Sequence, residues 1–126
     1  MIELLKENPK AAKVMHDFYV NLMIESSRDL PSHFREFVQE QGLEMSNIAS
    51  MIEAAPRNLF DVFDEQGIIV SVTYDRGSNK FCYFVNEYQN KEQFDSRKEA
   101  DKDAVKTAIA ALEYKLNSLE KTNEDS

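Results

Sequence analysis

The chain has 126 residues, 42% of them hydrophobic and 30% charged, and its formal net charge is −8. This composition predicts a single globular domain, over residues 1–119, that buries its own core without metals or disulfides. The excess of acidic residues disfavours binding to nucleic acid or to an anionic membrane, unless the basic residues gather on one face. The single cysteine, Cys82, excludes an internal disulfide and favours a reducing, cytoplasmic location. No segment reaches the roughly 20 apolar residues that span a bilayer.

The first half of the chain carries the start and stop signals of four helices. Asn8 and Pro9 combine a capping residue with a proline at the first helical position. Gly42 and Gly67 stand where helices end, and Pro56 disfavours helix in the residue before it. A short helical turn in "MIELLK" precedes the first helix. The predicted helices cover about residues 9–26, 30–42, 46–55 and 57–66.

A β-hairpin is predicted after the helices, because the hydrophobic period changes at Ile68. The segments "IIVSVTY" and "KFCYFVNEY" are rich in β-branched and aromatic residues, and "DRGSN" between them is typical of a turn. Alternation places Val70, Val72 and Tyr74 on one face with Ile68. The return strand is apolar on both faces, so we expect other elements to cover each face.

A long C-terminal helix is predicted from Arg97 to about Leu119. It begins with a capping box, Ser96 to Glu99, and residues 120–126 are predicted to be a disordered tail. Its apolar residues recur every three or four positions and form a narrow seam. The sequence predicts that this seam makes a homodimer, and burial against its own chain is the open alternative. The predicted seam residues are Ile109, Leu112, Leu116 and Leu119.

The sequence does not indicate an enzyme, a metal or a cofactor. Cys82 lies in a predicted strand without a nearby base, and no serine lies in a G-x-S-x-G elbow. The three glycines are too far apart for a phosphate-binding loop. His33, Glu36 and Glu40 have a spacing that metal ligands use, but no second cluster completes a site. We therefore predict no catalytic, metal-binding or cofactor-binding residues.

The segment from residue 31 to 88 resembles a winged-helix DNA-binding domain. Two short helices lead through Gly67 into a two-stranded wing, and small or apolar residues occupy the expected internal positions, namely Ile48, Ala49, Ile52, Leu59 and Val62. The resemblance implies that residues 57–66 read DNA and that the hairpin loop contacts the backbone through Arg76, Ser78, Asn79 and Lys80. The usual glycine is missing from the turn between the helices.

The reading helix of that resemblance is poorly equipped for DNA. Asp61, Asp64 and Glu65 would repel phosphates, and only Arg57 and Asn58 suit the contact. The sequence therefore predicts an α+β, mainly helical fold and a small, acidic, non-catalytic protein that acts through protein–protein contacts. The partner is either another protein or a second copy of the chain. A winged-helix regulator and an acidic mimic of DNA are the alternatives.

Overall fold

Helices dominate both ends of the chain and flank a small antiparallel sheet. The computed structural model describes residues 1–26, 36 and 44–125, and for 122–125 the backbone alone. Within these ranges the helices are α1 (Ile2–Glu7), α2 (Pro9–Ser26), α3 (Met45–Ala54), a 3-10 helix (Pro56–Leu59), α4 (Phe60–Glu65) and α5 (Arg97–Asp125). The strands are β1 (Val70–Asp75), β2 (Lys80–Val85) and β3 (Tyr88–Gln89).

The predicted α+β class is confirmed, with three differences in detail. The fourth helix divides at Phe60 into a 3-10 turn and α4, since Pro56 begins a new turn directly after α3. Helix α5 continues to Asp125, where the sequence predicts an end near Leu119 and a disordered tail. The predicted helix over 30–42 lies outside the described residues, apart from residue 36. No described helix combines the length and hydropathy needed to cross a membrane.

The sheet has three strands in the order β1, β2, β3, one more than the predicted hairpin. The extra strand forms because Asn86 adopts a left-handed conformation, with φ of 54°, and turns the chain back at the end of β2. The backbone N–H of Ile69 donates to Oδ1 of Asn86 at 2.7 Å, and this bond holds the turn against the first strand. Val72 pairs with Tyr83 in the β1–β2 register, and this face of the sheet packs on α5.

Helix α5 is the element against which both halves of the chain pack. Its capping box forms, because the N–H of Glu99 donates to Oγ of Ser96 at 3.2 Å. The buried stripe alternates small and large side chains: Ala100, Ala104, Val105, Ala108, Ile109 and Leu112. The 3-10 helix contacts this helix at Asp101, the sheet contacts it at Asp103 and Thr107, and α2 contacts it at Glu113. The N-terminal helices therefore pack on part of α5 beyond the sheet, and residues 117–121 are exposed.

A buried carboxylate on α5 caps the beginning of α2. Glu113 accepts hydrogen bonds from the backbone N–H groups of Lys10 and Ala11, at 3.3 and 2.8 Å. These N–H groups have no partner within the helix, and the positive end of the helix dipole attracts an anion. The Lys10 ammonium also pairs with Glu120 and donates to Oδ1 of Asn117. These bonds fix the start of α2 on the C-terminal half of α5.

A hydrogen-bond network joins the sheet to the other half of α5. The hydroxyl of buried Tyr83 donates to Oδ2 of Asp103 at 2.6 Å and lies 2.8 Å from Oγ1 of Thr107. The side-chain amide of Asn90 donates to the same hydroxyl. Burial, and after it the hydrogen bond to Asp103, raises the pKa of Tyr83 to about 12. Tyr83 is therefore neutral at physiological pH and serves as a structural tie.

Tyr19 on α2 provides a matched comparison with Tyr83. It is buried, its hydroxyl has no hydrogen-bond partner among the described residues, and burial raises its pKa to about 12.

We predict that Tyr83→Phe lowers the free energy of unfolding by about 1–3 kcal/mol, because Asp103 and Asn90 lose a buried partner. Tyr19→Phe removes an unsatisfied hydroxyl and should be neutral or stabilising. Equal losses in urea unfolding at pH 7 would contradict this assignment.

The raised pKa values of Tyr19 and Tyr83 make the stability of the fold depend on pH in a definite direction. Both folded-state pKa values lie above the ordinary tyrosine value of 10.0, so the folded protein holds these protons more tightly than the unfolded chain. Their contribution to stability is complete below about pH 10 and is lost as the pH rises through about 12. Each Tyr→Phe variant should therefore show a smaller loss of stability over this range than the native chain.

Candidate functional site

A groove lies between α2 and α4 on the surface of the helical part. Its two walls come from residues spaced by three or four positions, which places them on one face of each helix. The groove encloses about 330 Å³, and its described lining is Val14, Asp17, Phe18 and Asn21 from α2 with Val62, Glu65 and Gln66. We call this lining the acidic groove.

The acidic groove combines an apolar floor with carboxylates on both walls. Val62 is buried and Val14 and Phe18 are half-buried, whereas Asp17 and Glu65 are exposed. Neither of these carboxylates has a Lys or Arg ion-pair partner among the described residues. The groove therefore offers negative charge beside apolar surface, an arrangement that suits a cation with a hydrocarbon stem.

His16 provides the one ion-pair contact to the groove within the described part of the chain. Its Nδ1 lies 3.5 Å from Oδ1 of Asp17. The spacing of one residue on a helix predicts that these side chains diverge, and the observed distance shows that they are in contact.

The far wall of the groove is held in place by a lysine from α5. The Lys115 ammonium donates to the backbone carbonyl of Gln66, at the end of α4. Gly67 follows with φ of +81°, and a Cβ added there would lie 2.5 Å from the Lys115 nitrogen. The left-handed backbone therefore favours glycine here, whereas the Lys115 nitrogen is the end of a flexible side chain that could move aside. The predicted end of the helix at Gly67 is confirmed.

Arg57, the residue best suited to contact DNA in the winged-helix interpretation, is engaged inside the chain. Its Nε and Nη2 donate to the two carboxylate oxygens of Asp101, at 3.1 and 2.9 Å. The Asp101 side chain is only 8% exposed, and the guanidinium also lies over the ring of Phe60. The core positions of the resemblance are buried as expected, but any two packed helices bury such residues. A phosphate would have to compete with Asp101 for this arginine.

The hairpin loop is also largely occupied by its own bonds. Ser78 donates to Asp75 at 3.1 Å, Asn79 accepts from the hydroxyl of Tyr74 at 2.8 Å, and Lys80 pairs with Asp95. Arg76 is exposed, and no bond to its side chain is found within the described residues. The role of these four residues as an interaction loop stays a prediction, with Arg76 as its accessible cation.

The predicted dimer seam is divided between the interior and the surface. Ile109 and Leu112 are fully buried by their own chain, and Leu116 packs against the same core. Leu119 is 52% exposed. The burial of Ile109 and Leu112 by the sheet and the N-terminal helices supports the alternative that the sequence left open, namely burial of the seam against its own chain. Homodimerisation itself stays a prediction, and it would have to use another face of α5.

Cys82 lies on the face of the sheet that points away from α5. It is half-buried, and its Sγ lies 3.1 Å from Oγ1 of Thr73 on the neighbouring strand. The described residues contain no group of three or more His, Cys, Asp or Glu side chains that could hold a metal ion. His33 and Glu40 of the sequence pattern lie outside the described residues.

Sequence reasoning missed the roles of Asp101 and Glu113. Both fall within the apolar stripe of α5, one position from Ala100 and Leu112. A carboxylate at a core position of an amphipathic helix indicates a buried partner, since an unpaired buried charge is costly. That signal was present, but the partners, Arg57 and the start of α2, are distant in the sequence.

Comparisons of the chain with protein-family models, with curated proteins and with solved structures found no match. Function is therefore inferred from the chain's own residues.

The ion pair between Arg57 and Asp101 yields a stability prediction. Arg57→Ala should lower the free energy of unfolding by about 1–3 kcal/mol, because it leaves the buried Asp101 carboxylate without its cation. The Arg57 side chain is 51% exposed, so the loss of stability should be smaller than for a fully buried ion pair. Asn58→Ala, at the exposed neighbour, should change stability by less than about 0.5 kcal/mol. The interaction is measured by a double-mutant cycle of Arg57→Ala and Asp101→Ala in urea unfolding. If the stability losses of the two single variants add up to that of the double variant, the two side chains do not stabilise each other, which would contradict the prediction.

Proposed function

We propose that this is a small, acidic, non-catalytic protein that acts through protein–protein contact, and that the acidic groove receives a basic segment of its partner. The observation that carries the proposal is the position of Asp17 and Glu65 on opposite walls above an apolar floor. A partner side chain with a long aliphatic stem and a cationic end, Arg or Lys, fits both properties.

The size and polarity of the groove favour a side chain over a large ligand. Its volume of about 330 Å³ is at the lower end for small-molecule sites, which run from about 300 to 1,000 Å³. Asn21 and Gln66 add amide groups that accept hydrogen bonds from a guanidinium or ammonium. A protein of net charge −8 would also attract a basic partner over long range and so speed its association.

The same features weigh on the two alternative functions. Glu65 belongs to the helix that would read DNA, where a carboxylate near phosphate weakens binding. A DNA mimic needs accessible carboxylates, whereas Asp101, Asp103 and Glu113 accept hydrogen bonds from within the chain.

Binding is measured by titrating the protein with a short arginine-containing peptide, followed by backbone NMR shifts. We expect the largest shifts at residues of the groove, such as Asn21 and Gln66, and weaker binding at high salt. The same peptide with citrulline in place of arginine keeps the stem and removes the charge, so its binding should be much weaker. Shifts spread evenly over all surface carboxylates would contradict a specific site.

Charge-reversal variants test whether the carboxylates of the acidic groove cause the peptide to bind. Asp17→Lys or Glu65→Lys should weaken peptide binding about tenfold, which corresponds to about 1.4 kcal/mol. Glu87→Lys, on the exposed turn between β2 and β3, changes the net charge equally and should have little effect. If all three variants lose the same peptide affinity, the effect comes from net charge and not from the groove. If the native chain binds duplex DNA, the winged-helix regulator is favoured instead.

A further inference from the structure

Helix α5 presents a second face, opposite its buried stripe, that is mostly exposed. Described elements contact it only at Asp103, which bonds Tyr83 and Asn90, and at Asn117, which bonds Lys10. Seven positions separated by three or four residues form it: Glu99, Asp103, Lys106, Ala110, Tyr114, Asn117 and Lys121. All are exposed except Asp103, which is half-buried, and Tyr114 at 77% is the most exposed large apolar side chain described. We call these residues the outer face of α5.

The outer face is symmetric about Ala110. Reversing the direction of the helix around this alanine maps Glu99 onto Lys121, Lys106 onto Tyr114, and Asp103 onto Asn117. A twofold contact brings each such pair together twice, so the surface is self-complementary if the paired groups attract. We infer that a second copy of the chain docks here, with the two α5 helices antiparallel and crossing at Ala110.

Each mapped pair brings together groups that attract. Glu99 faces Lys121 of the second copy as an ion pair. Lys106 faces the ring of Tyr114, a cation–π contact worth about 0.5–1 kcal/mol at an exposed site. Asp103 faces the side-chain amide of Asn117 of the second copy. The Oδ2 of Asp103 accepts from Tyr83 and Asn90 within the chain, so its Oδ1 is the acceptor here. The Oδ1 of Asn117 accepts from Lys10, and its N–H groups are the donors. The outer face carries two acidic and two basic residues, so it is locally neutral in an acidic protein.

The structure also leaves room for this contact. At the crossing, Ala110 has no side chain beyond Cβ, so the helix axes can approach to about 8 Å. A hollow of about 450 Å³, lined by Lys10, Asn117, Glu120 and Lys121, lies at the C-terminal end of the outer face. The mapping places Glu99 of the second copy at this hollow beside Lys121, while Lys10 is already paired with Glu120.

This contact lies on a different surface from the acidic groove and goes beyond the proposed function. Groove variants therefore test peptide binding, and outer-face variants test self-association, so that either can fail alone. One helix face is a small interface, and we expect a weak dimer that forms at high protein concentration.

Self-association is measured by sedimentation, together with disulfide cross-linking in a Cys82→Ser background that removes the native thiol. Backbones crossing at Ala110 would lie within disulfide reach, since Cα atoms must approach to less than about 7 Å. Ala110→Cys should therefore form a covalent dimer on mild oxidation. Lys98→Cys, exposed on the same helix but outside the outer face, is the matched control and should remain monomeric.

Charge exchange tests the pairing itself. Glu99→Lys should raise the dimer dissociation constant about tenfold, since it places like charges together twice, and Lys121→Glu should do the same. The double variant restores both pairs and should return the constant to near the native value. A monomer at the highest concentration, equal cross-linking at positions 98 and 110, or failure of the double variant to recover would each overturn the inference.

Discussion

Two-sided burial of α5 is the constraint on which the rest of the molecule depends. Ala100, Ala104 and Ala108 let neighbouring backbones approach closely, while Val105, Ile109 and Leu112 fill the space between the sheet and the N-terminal helices. The sheet and the helices are small elements that could not each enclose a separate core. They share one core because both pack against the same helix.

Carboxylates on α5 define where each element docks. Asp101 binds Arg57 of the 3-10 helix, Asp103 binds Tyr83 of β2, and Glu113 binds the start of α2. Each of these hydrogen-bonded contacts fixes the position of one element along the helix. Apolar contacts alone would define that position less specifically. Part of the acidity of the chain is therefore structural. Asp17 and Glu65 of the acidic groove and Glu99 of the outer face are exposed, and we propose that these carboxylates contact other molecules.

The sequence predicts local elements well and distant pairings poorly. Helix α2 begins at Pro9 as expected, because the proline signal is local, and the structure describes it as far as Ser26. The Asn8 side chain, predicted to cap α2, instead donates to the carbonyl of Leu4. Strand β3 was missed, since a left-handed Asn86 is not visible in the hydrophobic pattern. The acidic groove was also missed, because Asp17 and Glu65 come together only when α2 and α4 pack. The apolar seam of α5 could be recognised in the sequence, but what covers it could not. A helix packed in its own core and a helix in a dimer interface have the same hydrophobic periodicity.

The most direct test of this account is native-state hydrogen exchange at the backbone amides of Ile109 and Leu112, in protein dilute enough to be monomeric. If the chain buries this stripe by itself, these amides exchange only through global unfolding, at the slowest rates in the molecule. If they exchange rapidly in the monomer and become protected only at concentrations where it associates, then the stripe is an intermolecular seam and the account of α5 as an internal scaffold is contradicted.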